Sequence, residues 1–156
     1  MVNKELIMEK MIEPMETIKI LCQSQQVAVL STQGEGQPYS NLVAFAESGD
    51  LRHLLFVTNR NTRKFSNITR DRKVAMLIDN RTNQPLDFEN AVAVTIIGNA
   101  DEVVGEEKEH LAQVYTSKHP SLTDFVYQRD NALLKITIDT CIIARFNRVE
   151  SIRMAD

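Results

Sequence analysis

Between Val27 and Thr58 three apolar runs, rich in β-branched and aromatic residues, follow one another with only short turns between them. The first, VAVLST at residues 27–32, ends at QGEG, whose two glycines suit a tight turn. Pro38 opens the second, PYSNLVAFA, which stops at ESGD, and the third runs from Leu51 to Thr58. Parallel neighbours need a crossover of a dozen or more residues, usually a helix, and these turns cannot supply one. The segment is therefore expected to fold as an antiparallel meander. That excludes a Rossmann-type reading, and the chain contains no Gly-x-Gly-x-x-Gly.

The third run leads into the most unusual stretch, LLFVTNRNTRKFSNI at residues 54–68. Leu54 to Val57 suits a buried strand. The polar turn that follows offers Asn61 or Thr62 as the N-cap of a helix reaching about Arg70, with Phe65 and Ile68 on its inner face. The first turn of that helix carries Arg63 and Lys64 where the dipole favours Asp or Glu, a mismatch of roughly 0.3–1 kcal/mol per charge. Either both side chains extend into water, or an anion is meant to meet them and the free backbone N–H groups beside them.

The rest of the chain reads as a frame for this segment. Residues 4–25 carry helical spacing interrupted at Pro14, which predicts two helices, with Leu6, Ile7 and Met11 sharing a face of the first and Met15, Ile18, Leu21 and Cys22 one of the second. VAMLI at 74–78 is a fourth strand, DNRTNQPLDFEN at 79–90 a long polar loop, and residues 91–104 a fifth strand bent at Gly98. Glu106–Lys118 is an amphipathic helix with Leu111, Val114 and Tyr115 inward, ended by Lys118-His119-Pro120, and a short helix is expected over Ser121–Gln128. LLKITID and CIIARF then read as strands six and seven, with VESIRM as a last edge. The tally is mainly β with peripheral helices (α+β), a closed or partly closed antiparallel barrel, and 1–156 is expected to form one domain.

Composition narrows the function classes. The net charge is −3, which argues against a nucleic-acid or acidic-membrane binder. No run approaches the ~20 apolar residues of a membrane span, and no secretory signal is visible, so a cytoplasmic protein is expected. Cys22 and Cys141 stand in apolar contexts and read as reduced core residues. His53, His110 and His119 form no metal-ligand spacing, so no metal is assigned. No catalytic nucleophile, acid or base emerges, and the catalytic residues stay unknown. Chemistry in such a chain is expected to come from a cofactor.

GQPYSNLVAFA, then LLFVTNRNTRKFSNI, then VAMLI resemble the FMN-binding split-barrel family typified by pyridoxamine 5′-phosphate oxidase, over roughly Val27 to Ala100. The resemblance implies an FMN-binding split β-barrel and an FMN-dependent oxidoreductase of unknown substrate. It implies that Arg63 and Lys64 grip the FMN phosphate, with Thr58 and Thr62 assisting. It implies that the strand residues Asn41, Leu42, Val43 and Ala44 run beside the isoalloxazine. It also implies a homodimer with FMN between the subunits, and a loop at 79–90 whose Asn80 or Arg81 reaches the partner's flavin. A non-catalytic flavin module and a haem-utilising or deazaflavin-dependent relative are the alternatives.

The departures from the oxidase pattern concern its substrate. Asn41 and Ala46 stand where the oxidase has a phosphate-binding Arg and a substrate-binding Lys, and the chain has neither a Trp nor the C-terminal Arg-Leu-His segment. Oxidation of pyridoxamine 5′-phosphate itself is therefore not expected.

Overall fold

The computed structural model describes residues 4–154, with side chains from Glu13 onward. In chain order the elements are α1 (Lys4–Ser24), β1 (Val27–Gly34), β2 (Gln37–Glu47), β3 (His53–Asn59), α2 (Arg63–Arg70) and β4 (Lys73–Asp79). There follow α3 (Asp87–Asn90), β5 (Ala93–Glu102), α4 (Glu107–Lys118), a 3₁₀ turn (Pro120–Leu122), α5 (Thr123–Tyr127), β6 (Asn131–Arg145) and β7 (Arg148–Arg153).

The meander forms as its turns dictate. The β1–β2 turn places Glu35 and Gly36 at positive φ, and β1 and β2 pair without interruption from Val27↔Ala44 to Gly34↔Gln37. All pairings are antiparallel, in the order β3-β2-β1-β4-β5-β6-β7. A further pairing of β3 with β6 closes the first six strands into a barrel and leaves β7 outside it. The early half of β6 lies beside β3, from Asn59↔Asn131 to His53↔Thr137, and the late half lies beside β7. One long strand thus carries two successive neighbours on the same edge, which splits the barrel there.

Two expectations are corrected. LLKITID and CIIARF are one strand of 15 residues, not two. Near the expected boundary between them lies a bulge: Ile97 faces Thr140 and Gly98 faces Ile138, so Asp139 is the extra residue. A Cβ at Gly98 would collide with the carbonyl oxygen of Thr137, so the glycine of the expected bend is the residue that lets β6 approach β5 beside the bulge. The second correction is at Pro14, where one helix, α1, runs through the proline. Its C-terminal half is held from outside, by burial of Ile18, Leu21 and Cys22, so the missing N–H does not end it. The expected shared face of Leu6, Ile7 and Met11 lies outside the described side chains.

A barrel of six strands is narrow enough to be filled by its own side chains. Leu30, Phe45, Leu54, Phe56, Met76 and Ile96 are fully buried in it. A second cluster forms on the outer face of β2, β3 and β6, where Ala46, Leu55, Val57 and Leu133 meet Leu111, Ala112 and Tyr115 of α4 and Val126 of α5. Strand alternation therefore buries both faces of β3.

Candidate functional site

The site is built where β2 and β3 part. They pair only over Phe45↔Phe56, Ala46↔Leu55 and Glu47↔Leu54, whereas β1 accompanies β2 over Gln37–Ala44. Asn41 to Ala44 therefore have a strand on one side and none on the other. The Phe45 N–H donates to the Gln26 carbonyl at 3.4 Å, on the β1 side, so alternation turns the backbone groups of Leu42 and Ala44 toward the open edge. The Ala44 carbonyl accepts from the Tyr115 hydroxyl at 3.2 Å. Val43 is buried in the barrel and Leu42 is 66% exposed. Asn41 points its side chain inward, and its Oδ1 is buried with no hydrogen-bond donor among the described residues.

On the other side of the fork, β3 ends in a turn closed from within. Thr58 is buried, and its hydroxyl lies 3.0 Å from that of Thr62. The Thr62 hydroxyl donates to the Asn59 carbonyl at 2.8 Å and accepts from the Phe65 N–H at 3.4 Å, which makes Thr62, rather than Asn61, the N-cap of α2. The Asn61 N–H is taken by the Asn59 side chain at 2.9 Å. Arg63 and Lys64 open the helix, where backbone N–H groups have no intrahelical acceptor, and the first turn contains no acidic residue. Lys64 is half-buried, and that burial holds its ammonium below the ordinary lysine pKa. Neither cation forms an ion pair among the described residues. The Arg63 guanidinium lies over the Tyr39 ring, 5.1 Å from its centroid.

The predicted site residues thus fall into two groups flanking one fork, Asn41–Ala44 on β2 and Thr58, Thr62, Arg63 and Lys64 on the β3–α2 turn. Beside them a cavity of about 400 Å³ separates α2 from the β1–β2 turn, lined by Glu35, Gln37, Tyr39, Arg63, Asn67 and Arg70. Asn67 is buried and donates to the Thr32 hydroxyl at 3.0 Å, and a Cβ at Gly34 would strike its Oδ1. A glycine is what lets the helix sit this close to the turn.

The end of α4 contributes contacts that the sequence did not signal. Lys118-His119-Pro120 read there as a helix stop, yet the His119 imidazole donates from Nε2 to the Phe45 carbonyl at 2.7 Å. Lys118 donates to the Cys22 and Gln25 carbonyls at 2.8 and 2.7 Å and lies 3.8 Å over the Phe45 ring. Burial pushes Lys118 down to about 8 and Tyr115 up to about 12. Tyr115 and His119 thereby grip consecutive carbonyls of the strand that borders the fork. No local sequence signal gives this, because the partners lie 71 and 74 residues away.

The remaining candidates are occupied elsewhere. In the loop after β4, Asn80 Oδ1 accepts from the Val92 N–H at 2.8 Å and Arg81 pairs with Asp79 at 3.1 Å. Burial pushes the free thiols of Cys22 and Cys141 up to about 12 and about 11, so neither is an activated nucleophile. Among the described residues no three His, Cys, Asp or Glu side chains gather as a metal site, and no helix is long and apolar enough to cross a membrane.

Comparison with known proteins places this arrangement. No curated protein matches the chain in sequence. Among solved structures it is similar to a heme binding protein from Mycobacterium smegmatis, at 17% identity and a TM-score of 0.72, over 83% of this chain and 53% of that one. The chain thus spans about half the length of the mycobacterial protein. It is also similar to General Stress Protein 26 from Bacillus anthracis, at 22% identity and a TM-score of 0.67, over 89% of this chain and 97% of that one. A FAD-binding protein from Mesorhizobium loti matches at 17% identity and a TM-score of 0.65, over 83% and 91% of the two chains. These likenesses establish the fold. The family model described as pyridoxamine 5′-phosphate oxidase matches residues 15–143, most of the chain and the whole of the fork, and the chain belongs to that family.

Proposed function

We propose that the chain is a flavoprotein that binds FMN in the β2–β3 fork and acts as a flavin-dependent oxidoreductase. The observation that carries this reading is Lys64, a half-buried cation without a carboxylate partner among the described residues, at the start of a helix with free N–H groups. Partial desolvation of an unpaired charge is unfavourable, and a phosphate at this position offsets that for Lys64 while meeting the N–H groups of the first turn. The residues fit the rest of the cofactor as well. The open edge at Leu42 offers backbone groups to a flat heterocycle. Thr58 and Thr62 fix the turn that aims Arg63 and Lys64. The flavin would supply two-electron redox chemistry, and the chain's own groups bind it, orient it and screen one side of it.

The substrate is proposed to be other than pyridoxamine 5′-phosphate. Ala46, at the position of the oxidase's substrate lysine, is buried against α4, so this chain presents no cation there to a second phosphate. The mycobacterial neighbour is named for heme, but here His119 is committed to the Phe45 carbonyl, His110 stands exposed on α4, and His53 opens β3 at the end opposite the Thr58 turn. No observation favours a haem reading over a flavin one.

The test is titration with FMN followed by flavin fluorescence and the visible spectrum. Charge-assisted hydrogen bonds contribute about 1.5–3 kcal/mol each, so Lys64→Ala should weaken FMN binding about ten- to a hundredfold and leave riboflavin binding unchanged. Affinity for FMN should also fall as pH rises into the alkaline range where Lys64 loses its proton, a range that its burial lowers. Unchanged FMN affinity in the variant would overturn the site. Peroxide release by the loaded protein on pyridoxamine 5′-phosphate would overturn the exclusion of that substrate.

A further inference from the structure

The cavity between α2 and the β1–β2 turn is not accounted for by a cofactor that ends at one phosphate. Its volume, about 400 Å³, lies in the range of small-molecule pockets. Arg63, Ser66, Asn67 and Arg70 recur at helical spacing and form its α2 wall, while Tyr39, Gln37 and Glu35 form the wall opposite. Arg63 belongs both to the start of α2 and to this cavity, so the cavity begins where an anion held at the helix start would end. Seven residues on, Arg70 stands about 10 Å further along the helix axis. Its partner is Glu35, at 3.4 Å, and both side chains are largely exposed. Two arginines against one glutamate leave the cavity with a positive balance. The Tyr39 ring, already under the Arg63 guanidinium, offers an aromatic and cationic platform of the kind on which bases stack. Glu35 can accept from a ribose hydroxyl, as acidic residues do in dinucleotide sites.

We propose that this cavity is a subsite for the adenylate half of a flavin dinucleotide, so that the chain prefers FAD to FMN. Arg63 and Arg70 meet the second phosphate, Tyr39 the adenine and Glu35 the ribose. The inference rests on the flavin reading above and extends it from the fork into the neighbouring cavity. No covalent step is involved.

The experiment measures dissociation constants of FMN and FAD for the flavin-free protein and for Arg70→Ala, together with ADP binding to the FMN-loaded protein. FAD is expected to bind about tenfold more tightly than FMN to the unaltered chain. Arg70→Ala should abolish that advantage while leaving FMN affinity within about twofold. Equal affinities for the two flavins would overturn the subsite while leaving the fork intact. A preference for FAD that survives Arg70→Ala would overturn its placement in this cavity. ADP binding beside bound FMN, lost in Arg70→Ala, would mean a separate nucleotide rather than a dinucleotide and would overturn the proposal in that form. Failure of both flavins to bind would overturn the fork reading and this inference with it, a result distinct from binding of both with equal affinity. Arg70 is largely exposed, and a circular dichroism spectrum unchanged by Arg70→Ala excludes misfolding as the cause of any loss.

Discussion

Lys118 shows how one side chain can join distant parts of this fold. Its ammonium bonds two carbonyls at the end of α1 and rests on a ring inside the barrel. Lys118→Met keeps most of the stem and removes the donors, leaving the Cys22 and Gln25 carbonyls short of partners. The expected loss is about 1–3 kcal/mol of stability, read by denaturant unfolding at neutral pH. Its pH dependence has a definite sign. The folded pKa of about 8 lies below the ordinary 10.5, so between these values the unfolded chain holds more protons than the folded one. Stability contributed through this group therefore rises with pH across that window. Glu47, whose charge acts on Lys118 in the opposite direction to burial, is common to both proteins, as is Cys22. The stability difference between the unaltered chain and Lys118→Met should consequently widen from pH 8 to 10.5, and a flat difference would show that the ammonium is not desolvated.

At the scale of elements, the bulge between β5 and β6 marks where β6 passes from β3 to β7 as its second neighbour. Asp139 is an extra residue in β6, and Gly98 opposite it has no room for a Cβ, which would meet the Thr137 carbonyl and Ile136 Cγ2. The first of these is backbone within a paired strand and cannot yield cheaply. Gly98→Ala is expected to cost about 1–3 kcal/mol, seen as a lowered thermal midpoint, although alanine ordinarily suits a strand no worse than glycine. A midpoint unchanged within error would mean that the bulge can move. The fork depends on a different element. α4 covers the outer face of β2 and β3 and grips the Ala44 and Phe45 carbonyls, so β2 keeps its course after β3 leaves it.

At the scale of the whole molecule, part of the outer sheet face stays apolar and uncovered by helices among the described residues. α4 and α5 serve β2, β3 and β6, but Val27 on β1, Leu42 on β2 and Ile97 on β5 stay exposed among the described residues. The expected cover is a second copy across a two-fold axis, with the β2–β3 fork near the seam because Leu42 belongs to both. Light scattering at micromolar protein should report twice the chain mass, and Val27→Asp with Ile97→Asp should shift it toward the monomer and weaken flavin binding. A flavin-loaded monomer would refute the shared arrangement.

Much of this was legible in the sequence, for reasons that differ by residue. The short turns QGEG and ESGD forced an antiparallel meander, because neither can hold a crossover. The helix start at Thr62 with Arg63 and Lys64 was legible because caps and first-turn charges are local chemistry. Gly98 stood out as a glycine within a strand, but not the reason for it, which is the close approach of a carbonyl 39 residues further along the chain. The continuity of β6 was hidden because a bulge and a break look alike until the partner strand is present. Tertiary structure alone decided that α1 runs through Pro14, where docking of its later half outweighs a missing hydrogen bond. It alone placed Asn41 without a donor, Tyr115 and His119 on the β2 carbonyls, and a cavity behind Arg63. A sequence fixes what each residue can offer along its own chain. Burial and partners across 70 residues and more exist only after the barrel has closed.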